Sequence, residues 1–239
     1  MRQKACFGPS SSESRSRPTP SALIRNYGVA NAGVVPDPGT NPRGGLLLVG
    51  LLLAASGCAT WNPPPPQAAE RAAAADVYSG SLRVSVKGEG VRGRTPILVA
   101  FRRPTSVRLE IPGSSGARLV AVVRGERLTA TFPAHRAVFE GAATAADFDA
   151  LLGVALAPGE LMDLLVGVAP PRLRSYRAGW GERLPERIEA VLPDGTRLKA
   201  TIDEAELGTP LPAAAFEFPP HRGYRAVDAA EARRLLGAR

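Results

Sequence analysis

The chain is poor in the residues from which reactive sites are usually built. Its 239 residues hold two Cys, two His and only 5% aromatic side chains. Cys6 and Cys58 are too few for a disulfide framework or a cysteine-rich metal site. His135 and His221 show no metal-ligand spacing, so no metal or other cofactor is expected. The sparse aromatics do not interleave with a basic stripe, which removes the stacking platforms expected of a nucleic-acid binder. No apolar run approaches the roughly 20 residues needed to span a bilayer as a helix. Gly113-Ser114-Ser115-Gly116 is not a nucleophile elbow, because Ala117 stands where the last glycine is required. Asp203, Glu204 and Glu206 lack any partner pattern and read as solvated charge just after a strand. An enzyme is therefore not expected.

What the chain does have is a secretory signal. Leu53-Ala54-Ala55-Ser56-Gly57-Cys58 closes an apolar run that begins at Leu46, with Arg43 upstream and an uncharged core from Gly44 to Ala55. A cut site ending in Gly-Cys after small residues resembles the lipobox of bacterial lipoproteins. That resemblance implies that the Cys58 thiol is alkylated with diacylglycerol and that cleavage makes Cys58 the first mature residue. The alternative is a short membrane anchor with an incidental Cys, for which the run is too short. Ala59, where an Asp would oppose it, fits sorting to the outer membrane.

Residues 1–42 are rich in Ser, Pro, Gly and Asn and lie far upstream for a signal. A start assigned too early, with translation beginning near Val34 or Val35, is the simplest expectation. The expected organisation is leader and signal over 1–57, lipidated Cys58 and a Pro-rich tether over 58–66, and one lipid-binding domain over 67–239. After the cut 24 cations face 20 anions, nearly all the cations Arg, and this balance does not call for nucleic acid. Trp61-Asn62 and the four prolines that follow read as an extended spacer.

Gln67–Tyr78 is alanine-rich and predicts a helix. Period-two alternation then takes over: Leu82, Val84 and Val86, then Pro96–Phe101, then Val107, Leu109 and Ile111. Leu119–Val123, Leu128 to Phe132 and Ala137–Phe139 continue it, separated by short Gly-rich turns that imply an antiparallel meander. Thr144 predicts a helix cap, with Phe148, Leu151 and Leu152 on one side and Gly153 closing the helix. Pro158 opens a second helix carrying Leu161, Met162, Leu164, Leu165 and Val168. Strands resume at Leu173–Trp180, Ile188 to Leu192 and, after the Pro193-Asp194-Gly195 turn, Leu198 to Ile202. Phe216-Glu217-Phe218 predicts a last extended segment, and Asp228 a cap for a closing helix to Leu236. Arg102-Arg103 and Arg172–Arg177 read as a wet strand face or as contacts for phospholipid head groups.

About nine short strands with two apolar helices between strand blocks predict an α+β, mainly β fold: a curved antiparallel sheet with helices on its concave face. Such a sheet either packs solid or encloses a cavity.

The order of parts is similar to that of the lipoprotein-sorting family of LolA and LolB, and most of all to divergent LolB-like lipoproteins. The residues that carry the resemblance are Tyr78-Ser79-Gly80-Ser81-Leu82-Arg83-Val84, Phe101-Arg102-Arg103-Pro104 with Val107 to Glu110, and Phe139-Glu140-Gly141 leading into Phe148 to Gly153. Pro158–Gly167 and Phe216–Pro220 complete it, so that it spans about residues 76–220. It implies an unclosed half-barrel with a helical lid over a hydrophobic cavity that takes up acyl chains of lipoproteins. Leu82, Val84, Val86, Val99, Phe101, Leu109, Ile111, Leu128 and Phe132 would line the sheet side, and Phe148, Leu152, Leu161 and Leu165 the lid. Ordinary core is the other reading for each of these positions. The resemblance further implies a lipid-anchored monomer on the periplasmic face of the outer membrane, taking cargo from a LolA-like carrier. A scaffold lipoprotein that keeps the fold without a working cavity is the alternative. The family's protruding loop with a bulky apolar residue has no counterpart in Pro112-Gly113-Ser114-Ser115-Gly116.

Overall fold

Alternating apolar residues set the fold, because each strand can bury only every second side chain. A computed structural model describes residues 61–88 and 91–237, so the lipobox, Cys58 and residues 1–57 lie outside the described residues. A short helix α1 (Pro66–Ala73) leads into six strands: β1 (Val77–Gly88), β2 (Val91–Arg102), β3 (Ser106–Gly113), β4 (Gly116–Arg124), β5 (Arg127–Phe132) and β6 (Ala137–Ala142). Helices α2 (Ala145–Leu152) and α3 (Pro158–Leu165) interrupt the sheet, and β7 (Ser175–Trp180), β8 (Pro185–Val191) and β9 (Arg197–Leu207) resume it. The two-residue β10 (Arg225–Ala226) and helix α4 (Ala229–Leu235) complete the described chain.

The strands form one sheet in the order β10-β6-β5-β4-β3-β2-β1-β9-β8-β7. Both meanders are antiparallel between neighbours, and β9 joins them by pairing with β1. The sheet does not close: β7 and β10 are its edges. This is the expected unclosed antiparallel half-barrel with helices over its concave side.

Register puts the apolar rows on one face. Tyr78 lies opposite Phe101, Leu82 opposite Ile97, Val99 opposite Leu109, and Ala121 opposite both Leu109 and Ala130. Residues directly opposite share a face, and these pack with α1, α2, α3 and Ala232 of α4 into one core. The Thr144 hydroxyl accepts the Asp147 N–H at 3.1 Å to start α2, and Gly153 ends it at φ 71°. At α3 the Glu160 carboxylate accepts the Ala157 N–H at 2.8 Å, and Pro158 takes the first turn, where its missing N–H costs nothing.

Four expectations differ from the structure. The first helix stops at Ala73, and Tyr78 belongs to β1, its ring stacked on Phe101 at 5.3 Å. Pairing with β2 and β9 on both sides outweighs alanine's helix propensity there. Asp203, Glu204 and Glu206 sit within β9 rather than after a strand, since β1 continues beside them. Phe216 closes a 3-10 turn (Ala213–Phe216) instead of a strand. The spacer begins against the domain: Asn62 accepts the Trp180 N–H at 3.2 Å and Arg177 stacks over Trp61 at 4.1 Å.

The chain after β9 crosses the face opposite the helices. There Arg108, only 4% exposed, donates to Ala215, and Arg102 donates to Leu211 and stacks over Phe216. This cover explains why outward positions such as Val122, Thr129 and Thr131 are buried. The chain then passes the β6 edge and lays α4 beside α2.

Candidate functional site

Between the sheet and the helices lies a cavity of about 340 Å³. Its sheet wall consists of Leu82, Val84 and Val86 from β1, Ile97 and Val99 from β2, Leu109 and Ile111 from β3, and Leu198 from β9. Its helical wall consists of Phe148, Leu151 and Leu152 from α2, Val154 and Leu156 from the link, Leu161 and Leu165 from α3, and Leu236 beyond α4. Arg92, Gly93, Arg94, Thr95, Arg118 and Gly237 complete the lining. The wall is thus apolar and its polar groups are gathered at one end, the pattern of a small-molecule site.

Of the thirteen positions expected to line a cavity, ten do: Leu82, Val84, Val86, Val99, Leu109, Ile111, Phe148, Leu152, Leu161 and Leu165. Phe101, Leu128 and Phe132 do not; each is no more than 1% exposed and lies in the packed part of the core. Phe101 is occupied by Tyr78, while Leu128 and Phe132 belong to β5, which holds none of the lining residues. Ile97 and Leu198 are inward strand positions and Leu151 lies on the apolar side of α2, and these three line the cavity as well. Val154 and Leu156 lie in the link between α2 and α3, outside regular elements, and give no periodic signal.

The sheet parts beside this cavity. The β1–β2 ladder runs to Gly88 opposite Val91 and the β3–β4 ladder to Gly113 opposite Gly116, but the β2–β3 ladder stops at Leu98 opposite Glu110. Continued by two residues, it would set Pro96 against Pro112. The Arg103 N–H bonds to Asp76 on the β1 side, so alternation turns the even-numbered residues of β2 toward β3. Thr105 accepts from Gly125 on the β4 side, which turns the even-numbered residues of β3 toward β2. Each proline therefore lacks its N–H on the side where the ladder needs it. The β3–β4 register also shifts between Ile111 and Pro112, where Arg118 of β4 is the extra residue.

Three of the other charged residues singled out in the sequence are in ion pairs. Asp203 pairs with Arg83 at 2.6 Å, Arg103 with Asp163 at 2.8 Å, and Arg172 with Glu160 at 2.6 Å. Burial pushes the Tyr78 and Tyr176 hydroxyls well above the usual phenol range, so both stay neutral. No group of three His, Cys, Asp or Glu side chains among the described residues is placed to hold a metal. No described helix is long and apolar enough to cross a membrane.

No protein-family model matches the chain, and no curated protein matches it. Among solved structures it is similar to a LolA superfamily protein from Nitrosomonas europaea, at 11% identity and TM-score 0.40 over 64% of this chain and 97% of the other. It is also similar to a domain described as an outer membrane lipoprotein-sorting protein from Vibrio parahaemolyticus, at 6% identity and TM-score 0.36 over 63% and 94%. The lipoprotein LppX of Mycobacterium tuberculosis is similar at 10% identity and TM-score 0.30 over 62% and 99%. The functional argument rests on the cavity itself.

Proposed function

We propose that this chain is a lipid-anchored protein that binds acyl chains, acting without catalysis in lipoprotein transport or localisation at the periplasmic face of the outer membrane. The single observation that carries this reading is the apolar cavity of about 340 Å³ under α2 and α3. A methylene takes about the space of a water molecule in the liquid, roughly 30 Å³, so the cavity has room for about eleven. At about 0.8 kcal/mol for each buried methylene, a tail in this space gains about 9 kcal/mol before the cost of its immobilisation. A gain of that size holds a chain yet releases it to a tighter site, so transfer down a gradient of affinity needs no ATP. The lipobox supplies the anchor at Cys58, and a soluble carrier with a similar half-barrel is the natural donor. The absence of a bulky apolar side chain in the exposed β3–β4 turn favours lipid binding over insertion of cargo into the membrane.

The test is native mass spectrometry of the purified, delipidated chain after incubation with a diacylated lipopeptide. A retained one-to-one complex is expected, and it should disappear with unacylated peptide. A chain that binds no acylated species supports the scaffold reading instead.

A further inference from the structure

We propose that the fork between β2 and β3 is the mouth of the cavity and a binding site for the anionic head of the bound amphiphile. This rests on the acyl-chain reading above and adds the chemical class of the ligand: a single- or double-tailed lipid with a phosphate or carboxylate head, rather than a neutral one.

Two observations carry it. First, the opening is built into the chain, because Pro96 and Pro112 stand where the two strands would otherwise bond. Second, the fork is rimmed by cations that also line the cavity: Arg92 and Arg94 on one prong and Arg118 on the other, all three exposed. Arg118 reaches across the gap and donates to the Thr95 hydroxyl at 3.2 Å. Among the described residues, none of these three guanidinium groups is in an ion pair, so each can take an external anion.

The planar guanidinium group suits the paired oxygens of a phosphate or carboxylate. The tail then lies between Ile97, Ile111 and Leu161 while the head stays in water, which spares a buried charge.

The experiment is displacement of the neutral dye N-phenyl-1-naphthylamine from the purified full-length chain by two ligands with one oleoyl tail. Lysophosphatidylglycerol carries a phosphate and monoolein carries none. The native chain is expected to bind the anionic lipid about tenfold more tightly, and the preference should shrink as salt rises. In Arg94→Gln/Arg118→Gln the ratio of the two affinities should fall to about one, with the melting temperature unchanged. Equal binding of the two lipids by the native chain, or a preference that survives the double substitution, overturns the assignment and leaves the acyl-chain reading intact. A chain that takes up neither dye nor monoolein overturns both. Inorganic phosphate alone should leave the dye in place. If it bound as tightly as the lipid, the site would serve free anions and the assignment would fail.

Discussion

Glu160 and Arg172 form a two-pronged ion pair, with Nε to Oε1 and Nη2 to Oε2 both at 2.6 Å. Glu160 stands in the first turn of α3 and Arg172 in the link to β7, so the pair ties one wall of the cavity to the strand block that follows. The same carboxylate accepts the Ala157 N–H. One side chain therefore caps the helix and anchors its exit.

A pH dependence follows from that pair. The Arg172 hydrogen bond holds the Glu160 carboxyl below its ordinary value of 4.5, against the opposing effect of partial burial. A carboxyl lowered in the folded state stabilises above its unfolded value, and that stability is lost as pH falls through the folded value. Melting temperature should therefore drop below about pH 4.5. In Glu160→Gln the drop should be shallower and the melting temperature at pH 7 slightly lower. An identical pH profile for the two proteins would rule this role out.

Cavity wall and packed core should respond differently to truncation. Phe132 is fully buried, and Phe132→Ala is expected to cost about 3–5 kcal/mol in urea unfolding. Leu161 already borders empty space, so Leu161→Ala should cost less than about 2 kcal/mol. Leu161→Trp should fill the cavity and abolish lipopeptide binding with little change in stability. Retained binding in that variant would move the ligand elsewhere.

Gly167 follows α3 at φ 84°, and an added Cβ there would overlap the Trp180 indole. The left-handed backbone alone costs a non-glycine residue about 1–2 kcal/mol, and the overlap adds to it. Gly167→Ala should therefore lower the melting temperature by several degrees. Gly93, with open space around it and no positive φ, is the control, and Gly93→Ala should be near neutral.

Arg108 pairs with Glu110 of its own strand at 3.2 Å and fastens the crossing segment by donating to the Ala215 carbonyl at 3.4 Å. Arg108→Ala leaves Glu110 without that cation and should cost about 3 kcal/mol, the low end for a buried pair. Hydrogen exchange should rise first in residues 209–224, and uniform exchange across the sheet would contradict this.

The sequence by itself determined the local elements. Alternation at Leu82, Val84 and Val86, the Thr144 cap, Pro158 at the start of α3 and the Pro193-Asp194-Gly195 turn depend only on near neighbours, and each appears where the pattern puts it. The inward face was legible for the same reason, since a strand's two faces differ by one residue. Only the tertiary structure decided which inward residues border space and which are packed. Val99 and Phe101 alternate alike, yet one lines the cavity and the other is stacked beneath Tyr78, because free volume is what remains after every neighbour is placed. The confrontation of Pro96 with Pro112 likewise needs the β2–β3 register, and the burial of Val122 and Thr131 needs a segment about 90 residues further on. Both are long-range pairings, which no window of local sequence contains.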